Sequence, residues 1–412
     1  MKTLKYIIAL VIITFSGNIS AQDSLIQYLN TAAINNPGLK AKFHEYHAAL
    51  EKVPQVGALP DPTIAFGYFI QPVETKVGPQ QFKISISQMF PWFGTLNVLE
   101  NSAEAIAKAK YQLFEEAKSK LFYDVKSTYY NLYWVQKAID ITNDNITILE
   151  SFKNLANIKI ESGKVSSVDA YRIEMEINDL KNQLALLKDN LWMLKVKFNN
   201  FLNIETNSPI LITDKLLSSD ISLNKESLVD SIMKNNNMLT GFDYQIEALQ
   251  HKENAASKAG MPKFSIGLDY TLIGESNMTV ANSGQDAFMF PKVGIVVPLY
   301  RKKYKAMVNE VVYLQQAKTE EKLDKGNMLE TLFEKVWKDY QDASRRINLY
   351  QQQTILAQRS MSIIESQYAT NNKDFEEILR MERKLLKYSL ELEKAIADKE
   401  AAIAFINYLK GQ

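Results

Sequence analysis

Two patterns of apolar residues alternate along the chain. In four short stretches every second residue is apolar, which predicts β-strands with one apolar face. These apolar positions are Ile64, Phe66, Tyr68 and Ile70, then Phe82, Ile84 and Ile86, then Phe264, Ile266, Leu268, Tyr270 and Leu272, and lastly Val293, Ile295 and Val297. Strands of about ten residues have the length that crosses a membrane when tilted.

Long stretches with apolar residues at every third or fourth position follow each pair of strands. This spacing predicts amphipathic helices that pack against helical partners. The first seam comprises Leu132, Val135, Ile139, Ile146, Leu149, Ala156 and Ile160, and the second comprises Ile347, Tyr350, Ala357, Met361, Ile364 and Tyr368. Because Trp92 to Glu161 contains no proline, we expect one helix of roughly 65 to 70 residues, about 100 Å long.

The same pattern occurs twice, which predicts a tandem structural repeat. The first copy opens with Asn35-Asn36-Pro37-Gly38-Leu39 and the second with Asn235-Asn236-Asn237-Met238-Leu239. The first strand pair ends in Phe90-Pro91-Trp92-Phe93, and the second ends in Val297-Pro298-Leu299-Tyr300. Each copy therefore contains a strand pair followed by long helices.

These patterns divide the chain into eight segments. Residues 1–21 resemble a secretory signal peptide, because Lys2 and Lys5 precede an apolar run that ends in small residues. The other predicted segments are a helix at 22–60, a β-hairpin at 61–90, a helical hairpin at 91–203, a linker at 204–222, a helix at 223–260, a β-hairpin at 261–298 and a helical hairpin at 299–412. The mature protein is therefore expected to be exported.

Composition removes several classes of function. The 412 residues carry 48 basic and 47 acidic side chains, a balance that predicts no nucleic-acid partner. The chain has no cysteine, which excludes disulfides, thiolate catalysis and a lipid-modified cysteine at the mature N-terminus. It also lacks a phosphate-binding loop, a His-Glu-x-x-His motif and a Gly-x-Ser-x-Gly motif, so we predict neither an enzyme nor a cofactor.

Paired histidines are the one candidate metal motif. His44 and His47 lie three residues apart on a predicted helix, but no third ligand is close in the sequence. We therefore predict no metal site.

The strands set the expected architecture. After the signal peptide, no apolar run reaches the about 18 residues of a membrane-spanning helix, so a membrane-spanning part would have to be β-structure. Four strands cannot close, and an open sheet edge in lipid costs several kcal/mol for each unpaired backbone group. Two chains would give eight strands with an interior filled by side chains, whereas three would give twelve strands around an open lumen, so three is the predicted number. Lys83, Ser85, Ser265 and Asp269 are predicted to face this lumen.

The predicted fold class is thus mainly α with a small membrane β part. In this prediction a homotrimer forms an α-helical barrel of long coiled-coil helices, which continues a twelve-stranded β-barrel with four strands per chain.

Several segments together resemble the TolC-like outer-membrane efflux proteins. They are the tandem repeat, the Asn35-Asn36-Pro37 opening, Ala58-Leu59-Pro60-Asp61-Pro62, Gln88-Met89-Phe90-Pro91-Trp92, and Val297-Pro298-Leu299-Tyr300. The resemblance implies a trimeric duct in the outer membrane, with its helices in the periplasm. It also implies docking through a periplasmic adaptor, or membrane fusion protein, onto an inner-membrane pump. Phe90-Pro91-Trp92-Phe93-Gly94 is most similar to the cation and heavy-metal efflux branch.

The resemblance further implies where partners would bind. In that family the helix-to-helix turns at the periplasmic end carry an aromatic or apolar residue, then glycine three residues on, then small residues and aspartate. We therefore predict that both turns form the adaptor-binding tip, with acidic residues near the closed aperture. The implied adaptor contacts are Ile160, Gly163, Ser166, Ser167, Tyr368, Asn371 and Lys373, and the implied aperture residues are Asp374, Glu376 and Glu377. From the residues themselves, Gly163 suits a helix reversal and Ser166 or Ser167 suits a helix cap, so plain capped hairpins remain an alternative.

Two other classes of protein fit the sequence less well. A soluble periplasmic coiled-coil adaptor or scaffold would place the alternating segments in a soluble β-domain, but adaptors normally have one helical hairpin and this chain has two. A carbohydrate or peptide binding protein would show a compact α/β pattern, which this sequence lacks.

Overall fold

The computed structural model describes residues 21–161, 166–216, 220–222, 224–278, 281–371 and 375–412. The predicted signal peptide lies outside the described residues, except for Ala21. Gly163, Lys373 and Asp374 also lie outside them, as does residue 223 within the predicted helix 223–260.

Long helices make up most of the described chain. They are α1 (Ala21–Asn35), α2 (Pro37–Leu50), α3 (Lys52–Gly57), α4 (Thr95–Glu161), α5 (Ser167–Leu202), α6 (Lys225–Asn235), α7 (Asn237–Ala259), α8 (Arg301–Asn371) and α9 (Phe375–Leu409). The α4 helix has 67 residues and α8 has 71, about 100 Å each at 1.5 Å per residue. In the described part of the chain, no helix combines the length and the apolar character needed to cross a bilayer.

Four strands form one antiparallel sheet in the order β1-β2-β3-β4. They are β1 (Thr63–Thr75), β2 (Gly78–Phe90), β3 (Lys263–Ile273) and β4 (Ala287–Val296). The two predicted hairpins pair with each other through β2 and β3, so that Ser85 lies opposite Asp269. The predicted fold class, a mainly helical tandem repeat with four strands, is confirmed at this level.

The short helices differ from the prediction, because each is interrupted at an asparagine. The 22–60 helix is broken at Asn36, whose side-chain oxygen accepts a hydrogen bond from Leu39 N at 3.0 Å and caps α2. Pro37 then begins α2, where a missing N–H costs nothing. The 223–260 helix is broken at Asn236, which has an extended backbone between α6 and α7.

The asparagine side chains at the two breaks make equivalent hydrogen bonds in the two repeats. Asn36 Nδ2 donates to the carbonyl oxygen of Phe201 at 3.0 Å, near the end of α5. Asn236 Nδ2 donates to the carbonyl oxygen of Leu409 at 2.9 Å, at the end of α9. Each asparagine thereby ties a helix break to an otherwise unpaired carbonyl at a helix end.

The chain divides into two compact units. The first comprises Met1–Ala41, Glu115–Asn237 and Asn327–Gln412, and the second comprises Lys42–Phe114 and Met238–Gly326. A buried cluster in the first unit joins α4, α5, α8 and α9. Its members are Ile146, Leu149, Ala156, Ile173, Ile177, Leu180, Met361, Tyr368, Phe375, Ile378, Leu379 and Leu386. Most of the residues predicted to form the helical seams are buried, because the 3-4 spacing places them on one helix face.

Candidate functional site

The first candidate site is the group of predicted tip residues in the first unit. Ile160 lies in the last turn of α4, and Ser167 begins α5. Ser166 caps α5, because its side-chain oxygen accepts a hydrogen bond from Val168 N at 3.3 Å. Asn371 is the last residue of α8. The described tip residues therefore occupy the ends of two consecutive helix pairs.

Tyr368 differs from Ile160, Ser166 and Ser167 because its side chain is buried. Its ring centroid lies 5.5 Å from that of Phe375. Lys159 Nζ lies 3.5 Å from the ring centroid and donates to the Tyr368 carbonyl oxygen at 2.9 Å. Tyr368 thus links α4, α8 and α9, and in one chain it supports the helix ends from within.

Both described aperture residues have arginine partners within the same chain. Arg172 Nη1 lies 3.3 Å from Glu376 Oε2 and 3.5 Å from Asp169 Oδ1. Arg380 Nη2 lies 3.2 Å from Glu377 Oε1. Because the side chains of Glu376 and Glu377 are 50% and 41% exposed, these pairs contribute about 0–1 kcal/mol at most. The Arg172 link was not predicted, because it joins two helices that are distant in sequence.

A buried carboxyl group lies among the packed helices of this unit. Glu382 on α9 accepts a hydrogen bond at Oε2 from Asn145 Nδ2 on α4, at 3.0 Å. Both side chains are buried, and burial raises the pKa of Glu382. The seam pattern alone did not identify this pair, because it shows only the apolar positions.

The second candidate site is the polar face of the sheet, in the second unit. Cross-strand register places Ser85 opposite Asp269 and Met89 opposite Ser265. Lys83 lies opposite Thr271, so the four predicted lumen residues share one face. Lys83 Nζ lies 2.8 Å from Asp269 Oδ2. The predicted common face therefore exists, although facing a lumen remains a prediction.

Lys292 is a partner of this site that the sequence did not reveal. Its Nζ lies 3.2 Å from both carboxylate oxygens of Asp269. The pairing of β3 with β4 is regular except for a register shift between Gly267 and Asp269. A strict period of two could not predict this contact.

The opposite face of the sheet is apolar and open. Phe66 and Tyr68 on β1 and Phe288 and Val293 on β4 lie on this face and are all more than 60% exposed. Trp92, which follows β2, stacks on Phe264 of this face with ring centroids 6.0 Å apart. An exposed apolar sheet face of this kind needs an apolar environment or another protein to cover it.

An apolar cavity of about 420 Å³ lies in the second unit. Its lining includes Trp92, Leu96, Leu99, Ala255, Met307 and Val311.

On α2, His47 packs its ring against Phe43, with centroids 4.5 Å apart. Among the described residues, no three His, Cys, Asp or Glu side chains are grouped so that they could hold a metal ion.

Comparison with known proteins identifies a family over part of the chain. Residues 28–192 match the outer membrane efflux protein family. A curated relative, Toxin and drug export protein A of Aggregatibacter actinomycetemcomitans, is 22% identical over 180 residues, or 43% of this chain. The match spans only 38% of that relative's length.

Solved structures share the fold over nearly the whole chain. The outer membrane protein VceC of Vibrio cholerae has a TM-score of 0.77 and 13% identity, covering 95% of this chain and 98% of VceC. The CmeC outer membrane channel of Campylobacter jejuni has a TM-score of 0.71 and 15% identity, covering 94% and 86%. CusC has a TM-score of 0.75 and 14% identity, covering 94% and 92%. These likenesses establish the fold, and these structures are channels and membrane proteins rather than enzymes.

Proposed function

We propose that this chain, which belongs to the outer membrane efflux protein family, forms the passive exit duct of a tripartite efflux or secretion system. In this proposal the strands lie in the outer membrane and the helices in the periplasm. The duct receives small molecules from a periplasmic adaptor and an inner-membrane pump. The export role in the name of the curated relative supports this assignment.

The two-faced sheet is the observation that carries the proposal. One face is apolar and exposed, and the other holds the polar group around Asp269. A sheet with lipid on one face and water on the other has this division. Trp92 and Phe93 adjoin the apolar face near Phe264, as aromatic residues do at a membrane interface.

Unpaired strands at both sheet edges support an oligomer. In one chain β1 and β4 each pair on one side only. In lipid each unpaired backbone group costs several kcal/mol, so β1 of one copy would pair with β4 of the next. Three copies give twelve strands, enough to enclose an open lumen. We therefore propose a homotrimer with a closed barrel.

The helices of the first unit offer surfaces for the same assembly. Leu349, Leu356 and Ile363 on α8 are exposed and lie seven residues apart. Apolar residues at heptad spacing form a seam for another helix. In the trimer, a helix from a neighbouring copy would cover this seam and continue the wall of the duct.

The adaptor is proposed to bind at the helix ends near Ile160, Ser166 and Ser167, with Glu376 and Glu377 near the aperture. Those ends are distinct from the sheet and carry capped, partly exposed residues. Transport energy would come from the pump, because the sequence has no phosphate-binding loop.

Membrane fractionation followed by mass measurement in mild detergent tests the proposal. We expect a trimer in the outer-membrane fraction, and single channels when it is reconstituted in planar bilayers. A monomer in the soluble periplasmic fraction would contradict the duct and favour the adaptor or scaffold alternative. A membrane trimer without conductance would contradict the open pathway but retain the assembly.

A further inference from the structure

Four of the five charged side chains in the strands lie on the polar face, and the fifth, Glu74, lies in the part of β1 beyond its register shift. In the regularly paired part, Lys263, Ser265 and Gly267 on β3 share this face with Lys83 and Ser85 on β2. Lys292 on β4 lies opposite Gly267 and belongs to the same face. Register alone therefore places three lysines and one aspartate together.

The aspartate is enclosed by its partners, whereas Lys83 and Lys292 reach solvent and Lys263 is half-buried. The Asp269 side chain is only 6% exposed, while those of Lys83 and Lys292 are 38% and 49% exposed. One carboxylate thus holds two ammonium groups in place. What the face presents to solvent is positive charge.

We propose that this face makes the exit favour anions over cations, with Lys83, Lys263 and Lys292 setting the preference and Asp269 positioning two of them. The inference rests on the proposed function, since it needs the polar face to line a water-filled lumen. Rings of charged side chains determine ion preference in pores. The substrate class that fits this exit is an organic anion, rather than the metal cation suggested by Phe90-Pro91-Trp92-Phe93-Gly94.

Screening sets the conditions under which the effect is measurable. The field of an exposed charge extends about 8 Å at physiological ionic strength and about 30 Å at 0.01 M. The preference should therefore be strong in dilute salt and weak in concentrated salt. The acidic residues proposed for the aperture would also influence selectivity, so the change that each sheet variant causes in the permeability ratio is more informative than the wild-type ratio.

The test measures reversal potentials of the full-length protein in planar bilayers under a dilute potassium chloride gradient. We expect K83Q and K263Q each to lower the chloride-to-potassium permeability ratio, by about twofold in dilute salt. D269N should raise the ratio, because it removes the negative charge and leaves the lysines. K76Q, in the exposed turn between β1 and β2, is the matched control and should change the ratio less.

Opposite shifts for the lysine variants and D269N would support the inference. Equal ratios in conducting wild-type, K83Q, K263Q and D269N channels would overturn it and leave the duct intact. Absence of conductance in the wild type would instead contradict the proposed function. K263Q separates the effect of charge from an effect on folding, because it removes a charge without disturbing the ion pairs of Asp269. The mass of each variant in detergent shows whether it still assembles as a trimer.

Discussion

The side-chain amide of Asn145 donates a hydrogen bond to the buried carboxyl group of Glu382, at 3.0 Å. Asn145 lies on α4 and Glu382 on α9, within the helices that form the buried cluster of the first unit. Burial raises the pKa of Glu382, the nearby Glu365 raises it further, and the Asn145 hydrogen bond opposes both. A buried carboxyl with a single neutral partner is costly when charged.

Replacing Glu382 with Gln should change the pH dependence of stability. Because the folded state holds the pKa above its ordinary value of 4.5, it prefers the protonated form. The stabilising contribution of this group is therefore full below 4.5 and is lost as pH rises through the folded-state pKa. We expect thermal unfolding in detergent to show wild type and E382Q equal near pH 4 and E382Q more stable at neutral pH. An E382Q variant less stable at every pH would contradict this account.

Removing the amide partner should have the opposite effect. Asn145→Ala leaves the Glu382 carboxyl buried without a donor, so we expect a loss of about 1–3 kcal/mol at neutral pH. The double variant N145A/E382L should recover part of this loss, because it removes the buried polar group as well. Denaturant unfolding of both variants, followed by the helical circular dichroism signal, makes the comparison.

The asparagines at the two helix breaks should contribute similar amounts to the free energy of unfolding. Asn36→Ala removes a helix cap and the bond to the Phe201 carbonyl, and Asn236→Ala removes the bond to the Leu409 carbonyl. We expect each to cost about 1–2 kcal/mol in unfolding free energy, against no measurable change for Asn30→Ala on the exposed side of α1. A harmless N36A would show that Pro37 alone defines the break.

Periodicity predicted what depends on a residue's own neighbours in sequence. Phe66 and Ile266 lie on the apolar face because strand side chains alternate, and Leu149 is buried because helix faces repeat. Tyr368 belonged to two predictions, one for the helical seam and one for the adaptor tip. The Tyr368 side chain is buried, as the seam pattern predicted, and its role at the adaptor tip stays a prediction.

Long-range contacts were beyond the sequence patterns. Lys292 reaches Asp269 beside a register shift, and Arg172 reaches Glu376 from another helix. Such pairs depend on how elements align, which residue spacing does not report. The break at Asn36, unlike these contacts, could have been predicted from the sequence. An asparagine before a proline is a recognisable helix-start signal, and the prediction of a continuous helix at 22–60 did not take it into account.

A substitution in the first helix-to-helix connection should reduce adaptor binding without preventing trimer assembly. Gly163→Leu should reduce adaptor cross-linking and efflux several-fold while the trimer still assembles, because a bulky side chain would obstruct the docking surface. Ala185→Leu, which places the same bulky side chain at an exposed site on α5, is the control and should leave both unchanged. Unaltered cross-linking and efflux in G163L would remove Gly163 from the proposed contact.

The two faces of β3 should respond in opposite ways to a new charge. Leu268 lies opposite Ile86 on the apolar face, whereas Ser265 belongs to the polar face with Asp269. If the apolar face meets lipid, Leu268→Arg should disfavour membrane insertion by about 2–4 kcal/mol near the bilayer midplane, because the charge loses its hydration. Ser265→Arg should insert almost as well as wild type, since its side chain reaches water. Reversible folding into lipid vesicles, titrated with denaturant, measures both. Equal losses for the two variants would mean that the sheet does not separate lipid from water.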